Sequence, residues 1–161
     1  MIVVSNTSPL MNLTIIGRAD ILPRLYGRVV IPDAVLGELS VAGTPGFMTG
    51  HKVHPPWIDV RSVSHPALVS SLRLELDAGE AEAIAIGVEL AADLVLLDER
   101  KARRIARLMG LRRVGLLGVL LDAKARGLVS RVRPIIDDLV DKAGFWVGMD
   151  LRDYVLAQAG E

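Results

Sequence analysis

Short, uninterrupted aliphatic runs that each stop at a polar residue constrain this chain more than any other feature. Ile2-Val3-Val4 ends at Ser5-Asn6, and Leu94-Val95-Leu96-Leu97 ends at Asp98. Runs of this kind, apolar without alternation, suit strands covered on both faces, as in parallel sheets packed between helices. Arg28 to Ile31, Ile58-Asp59-Val60 and Arg112-Arg113-Val114 read as further short strands. Helical segments separate them. This alternation predicts an α/β fold with a central, mainly parallel sheet.

The helices are expected from their punctuation. Ser8-Pro9 reads as an N-cap followed by proline at the first helical position, with the helix running to Gly17. Ile21 to Tyr26 forms a second helix, and Pro32-Asp33 opens a third that carries Glu38. Residues 41–67 hold four of the eight prolines and all three histidines, so mostly loop is expected there, apart from the strand at Ile58. Helices follow near Leu68–Leu76, Glu80–Ala91 and Glu99–Met109, then at 116–126, 132–143 and 151–159. Phe145-Trp146-Val147 reads as an edge strand.

Composition narrows the class. Half the chain (51%) is hydrophobic but only 4% is aromatic, so the core must be aliphatic. A chain of 161 residues reads as one domain, 1–161. No apolar run approaches the roughly 18 residues that span a bilayer, and the opening MIVVSNTSP lacks the basic start of a signal peptide. Cysteine is absent, which removes disulfides, thiol catalysis and thiolate metal sites. A cytoplasmic protein with no membrane association is the simplest expectation. The 19 basic and 19 acidic residues cancel, so any nucleic-acid binding must come from uneven charge placement.

In open parallel sheets the ligand site lies beyond the carboxyl ends of the strands. Asn6 and Asp98 occupy that position, and Glu38 and Glu80 sit on helices able to face the same end. Carboxylates that converge in an apolar framework repel unless a cation lies between them, and hard oxygen donors suit Mg²⁺ or Mn²⁺. Each residue also has a plainer role. Asp98 can cap the helix after it, and Glu80 can complete a capping box with Asp77. Glu38 can be a solvated helix carboxylate, and Asn6 can bond the backbone at a turn. From position alone both sets of roles stay open.

The order of several fragments carries more. Val4-Ser5-Asn6-Thr7-Ser8-Pro9-Leu10 is followed by Ile31-Pro32 with Glu38-Leu39, and then by Leu76-Asp77-Ala78-Gly79-Glu80-Ala81-Glu82-Ala83-Ile84. Asp93 to Arg100, Gly115 to Leu120 and Ala123-Lys124 complete the series. Taken together the chain resembles the PIN domain superfamily, and within it the PIN-like branch known as DUF3368. The resemblance implies a three-layer α/β/α fold and a metal-dependent nuclease that cuts RNA, of the kind used as the toxin of a toxin–antitoxin pair. It implies Glu38, Glu80 and Asp98 as catalytic carboxylates that hold Mg²⁺ or Mn²⁺, with Asn6 where the first-strand acid of the family stands. Glu82 is the weaker alternative to Glu80, since two residues along a helix turn it to another face. Asn6 is a departure: it offers a carbonyl oxygen but no charge, which weakens cation affinity and water activation. The resemblance also implies a homodimer and a small antitoxin protein as partners.

Seven basic residues and no acid lie between Arg100 and Arg113. Arg100, Arg103 and Arg107 follow helical spacing beside Asp98, a stripe suited to RNA phosphates or, equally, to a solvated face or a dimer interface. No aromatics interleave with them, so no base-stacking platform can be read. His51 and His54 lack a third ligand, which disfavours zinc. Trp57, Trp146 and Tyr154 are expected as core or interface anchors. Lys124 has no role legible in the sequence. Two rival classes remain: a PIN-like nucleic-acid-binding or protein-interaction module with little catalysis, and a receiver-like or phosphatase-like domain using Asp98.

Overall fold

The computed structural model describes residues 1–161. Its centre is β1 (Val3–Ser5), flanked by β2 (Val29–Pro32) and β4 (Leu94–Leu96), with β3 (Ile58–Arg61) and β5 (Arg113–Val114) outermost. All four pairings are parallel, giving the order β3-β2-β1-β4-β5. Nine helices connect the strands: α1 (Thr7–Ile15), α2 (Ile21–Tyr26), α3 (Asp33–Val41), α4 (Pro66–Leu72), α5 (Ala78–Glu89), α6 (Arg100–Leu108), α7 (Leu116–Ala125), α8 (Arg133–Ala143) and α9 (Met149–Gln158). The expected three-layer α/β/α architecture is the one observed.

The aliphatic runs form strands because both faces of the sheet are covered. Val3, Val29, Ile31, Leu94 and Leu96 point to one side, where α1, α2, α3, α7, α8 and α9 complete a cluster of 28 buried residues. Val4, Val30, Val95 and Leu97 point to the other, where α4, α5 and α6 complete a cluster of 15. In the inner strands β1, β2 and β4 successive side chains alternate between two apolar layers, so no polar alternation is seen there. The edge strand β3, in contrast, alternates as Ile58-Asp59-Val60-Arg61. No helix is long and apolar enough to cross a membrane.

The topology creates a crevice. From β1 the chain steps outward to β2 and β3, then returns to the opposite side of β1 for β4 and β5. The strand order therefore reverses between β1 and β4, and at such a switch point the connections leave in opposite directions. Ser5 pairs in register with Leu96, and the Asn6 amide continues the ladder to the Leu96 carbonyl at 3.1 Å. Asn6 and Asp98 thus emerge side by side at the carboxyl edge.

Three expectations are corrected. The first helix begins at Thr7, with Asn6 rather than Ser8 in the cap position; Pro9 is its third residue, where a missing N–H costs nothing. α4 stops at Leu72 instead of Leu76, because Asp77 must stand extended to cap α5. Residues 145–147 form no strand. Gly144 takes a left-handed conformation (φ 68°) that ends α8, and the Phe145 amide donates to the Leu139 carbonyl at 2.9 Å. That closure, together with the start of α9, takes up the segment; Phe145 and Val147 pack on the core while Trp146 points away.

Candidate functional site

The four residues expected as ligands, Asn6, Glu38, Glu80 and Asp98, line one cleft of about 770 Å³ at the switch point. Each arrives by a different route. Asn6 ends β1 in the extended conformation; it occupies the cap position of α1 but makes no capping bond with its side chain. Its Oδ1 is buried and has no hydrogen-bond partner. Glu38, from the middle of α3, accepts a bond from the Gly79 amide at 2.9 Å and another from the Thr7 hydroxyl. It is therefore not a solvated helix carboxylate.

Glu80 plays its plainer role as well. Its amide donates to Asp77 Oδ1 at 2.8 Å, and its Oε2 accepts from the Asp77 amide at 3.2 Å, a complete capping box that opens α5. The box fixes the carboxylate in the cleft rather than removing it. Burial pushes Glu80 above the usual carboxylate range, and the nearby charges of Asp77, Glu99 and Glu38 push the same way against the Asp77 amide bond. Glu82 points elsewhere and accepts from the Ala34 amide at 3.2 Å, at the start of α3.

Asp98 does not cap the helix that follows it, since Glu99 holds the cap position of α6. Its Oδ1 accepts from the Leu116 amide at 2.7 Å, at the first turn of α7, and its Oδ2 from the Ser8 hydroxyl at 3.2 Å. Burial raises its pKa, opposed by the Leu116 amide, the Ser8 hydroxyl and the positive charge of Arg103. Ser8 is in turn held by the Asn12 amide at 3.2 Å. The sequence reading missed Thr7 and Ser8 as orienting hydroxyls. Their place directly after a strand-end ligand was the available signal. Asp77 and Glu99 also line the cleft and were not singled out as site residues.

The cleft suits a divalent cation in three respects. All its donors are oxygens. Asn6 Oδ1 is a buried acceptor with nothing to accept from. At Gly79 a Cβ would collide with Glu38 Oε2 and stand 2.9 Å from Asn6 Oδ1, so a larger residue there would displace both side chains from their present positions. No three His, Cys, Asp or Glu side chains close to ion-holding spacing.

The basic stripe borders the same cleft. Arg100 and Arg103 line it, and an adjoining recess of about 620 Å³ is lined by Arg100, Arg103, Arg104, Arg107 and Arg113 together with Asp98 and Trp146. Trp146 and Tyr154 are 84% and 61% exposed, so of the two expected roles, core or interface anchor, the core role is ruled out for both; Trp57 packs partly buried against the core. His51 and His54 lie in the loop before β3 and join no metal-binding group. Lys124 bonds the Ser130 carbonyl at 2.8 Å and Glu161 Oε2 at 3.2 Å, a structural role.

Comparison with known proteins agrees with this picture. No curated protein matches the chain. Among solved structures it is similar to a PilT N-terminus domain protein from the hyperthermophilic archaeon Sulfolobus solfataricus P2, at 18% identity and a TM-score of 0.53. The match covers 74% of this chain and 90% of that one, and at this identity it speaks for the fold. The model of the PIN domain family DUF3368 matches residues 2–161. PIN domains are nuclease-type proteins that generally depend on divalent metals. The chain belongs to the PIN domain family DUF3368.

Proposed function

We propose that this protein is a Mg²⁺- or Mn²⁺-dependent endoribonuclease and the toxin component of a toxin–antitoxin pair. The observation that carries the reading is the unpartnered Asn6 Oδ1, buried at the switch point in the cleft that Glu38, Glu80 and Asp98 also line. Asn6, Glu38, Glu80 and Asp98 are the residues that would hold the ion. A bound divalent ion supplies activation of a water and neutralisation of charge on a phosphodiester. The protein's own groups do the positioning. Ser8 and the Leu116 amide orient Asp98, Thr7 and the Gly79 amide orient Glu38, and the capping box orients Glu80. Arg100 and Arg103, on the rim, attract the RNA phosphate toward the carboxylates, and Arg107 extends the basic surface. A small antitoxin and a second copy of the chain are the proposed protein partners.

The test is cleavage of RNA in the presence of Mn²⁺. Asp98→Asn is expected to abolish cleavage while circular dichroism shows the fold intact. Cleavage without a divalent ion, or undiminished cleavage by the variant, contradicts the proposal.

Asn6 favours a second reading, a PIN-like binding module with little catalysis. Calorimetry with Mn²⁺ separates the two. The nuclease binds Mn²⁺ as it stands and more tightly after Asn6→Asp, whereas the binding module takes up the ion only after that substitution. The receiver-like alternative loses its footing with the chain's membership of the PIN family.

A further inference from the structure

The cleft continues into a surface that the sequence did not suggest. Trp146 lines both the acidic cleft and the adjoining recess, whose rim carries Arg100, Arg103, Arg104, Arg107 and Arg113. It leaves the core because α8 ends at Gly144 and the chain must turn at Gly148 to start α9. A Cβ at Gly148 would lie 3.5 Å from the edge of the indole, so the ring leans on the start of α9 while 84% of the residue stays exposed. A large aromatic left this open in a basic recess has a natural occupant. Nucleobases stack on aromatic rings whatever their sequence, and arginines track the phosphates between them.

We propose that Trp146 is a stacking platform for a base of single-stranded RNA beside the acidic cleft, with the five arginines holding the phosphates of the backbone. The proposal rests on the RNA-cutting reading of the cleft and names the form of its substrate. Charge argues against self-association centred on the arginines. A two-fold axis through them would set one arginine cluster against its copy. A duplex fits poorly as well, because its bases are already stacked and cannot meet the ring.

The experiment measures binding in EDTA, so that nothing is cleaved, using fluorescence anisotropy of a labelled single-stranded RNA of about ten nucleotides. Trp146→Ala is expected to weaken binding about tenfold without changing the salt dependence. Arg104→Ala with Arg107→Ala is expected to lower the slope of log affinity against log salt by about 1.4, at about 0.7 for each phosphate contact on a single strand. A strand of the same length without bases should bind the native protein as weakly as the variant binds normal RNA, and should not respond to Trp146→Ala. Unchanged affinity of Trp146→Ala for the normal strand overturns the proposal. So does a baseless strand or a duplex that binds the native protein as tightly. Loss of a dimer on Trp146→Ala with RNA affinity intact also overturns it, since the ring is then a self-contact. Failed cleavage in Mn²⁺ alongside Trp146-dependent binding contradicts the nuclease reading and supports the platform; cleavage with Trp146-independent binding does the reverse.

Discussion

Asp98 is held by a relay that begins in α1: the Asn12 amide bonds Ser8, and the Ser8 hydroxyl bonds the carboxylate. Partners that orient a metal ligand are worth roughly 10- to 100-fold in affinity or activity when removed. Ser8→Ala is therefore expected to slow RNA cleavage by about that factor, measured at saturating Mn²⁺, and to leave the melting temperature nearly unchanged. Glu80 and Asp98 also give the site a pH signature. Both pKa values are raised in the folded chain, so over the window above their ordinary values the folded state holds protons that the unfolded state has released. Stability of the metal-free protein falls as pH rises through that window. Asp98→Asn removes a desolvated charge, so at pH 7.5 the metal-free variant should melt no lower than the native protein. The stabilisation that Mn²⁺ gives the native protein should shrink as pH drops into the same window, where protons compete for the ligands. Thermal melts with and without Mn²⁺ at two pH values check both statements. At this scale the sequence was informative about which side chains meet in the cleft and silent about their supports. Asn6 and Asp98 follow directly from the ends of apolar runs, whereas Ser8 read as a cap because a hydroxyl before proline has that local use.

Elements were legible where one period dominated and illegible where local patterning lacked a partner. The double-sided strands β1, β2 and β4 follow from aliphatic runs that only two covering layers can satisfy. Phe145-Trp146-Val147 shows the same in-out-in alternation as a strand. No neighbouring strand offers hydrogen bonds there, and the left-handed Gly144 commits the backbone to ending α8. Alternation reports which side chains are buried, and pairing depends on residues far away in sequence. The exposed Trp146 is the consequence the sequence could not convey. The contact between α7 and β5, by contrast, joins residues only four apart in sequence. A Cβ at Gly118 would collide with Val114 Cγ2, so the helix approaches the strand as closely as glycine permits. Overpacking of this kind costs about 1–3 kcal/mol. Gly118→Ala should lose about that much in urea unfolding, and adding Val114→Ala should restore part of it by making room.

Across the whole molecule, the sheet divides the core into two clusters, and the helices at the end of the chain are tied down by one carboxylate. Glu161 accepts from the Val132 amide at 2.6 Å and the Arg133 amide at 3.2 Å at the start of α8, and pairs with Lys124 of α7. These bonds, the Val132 amide first, hold its pKa below the ordinary 4.5. A depressed carboxylate stabilises the fold above its unfolded pKa and loses that contribution as pH falls through the folded value. Glu161→Gln should therefore lower stability at pH 7, and the gap to the native protein should close in urea titrations carried toward pH 3. The same tie joins the end of α9 to the start of α8. Lys124 and Glu161 lie too far apart in sequence for this partnership to be read before folding. The central claim is that Asn6, Glu38, Glu80 and Asp98 form one divalent-cation site. A crystal structure soaked in Mn²⁺ tests it most directly. An anomalous peak is expected within the cleft, within bonding distance of Asn6 Oδ1 and at least one of the three carboxylates, and is expected to disappear in Asp98→Asn. A fully soaked crystal with no peak in the cleft, or one bound only elsewhere, contradicts it.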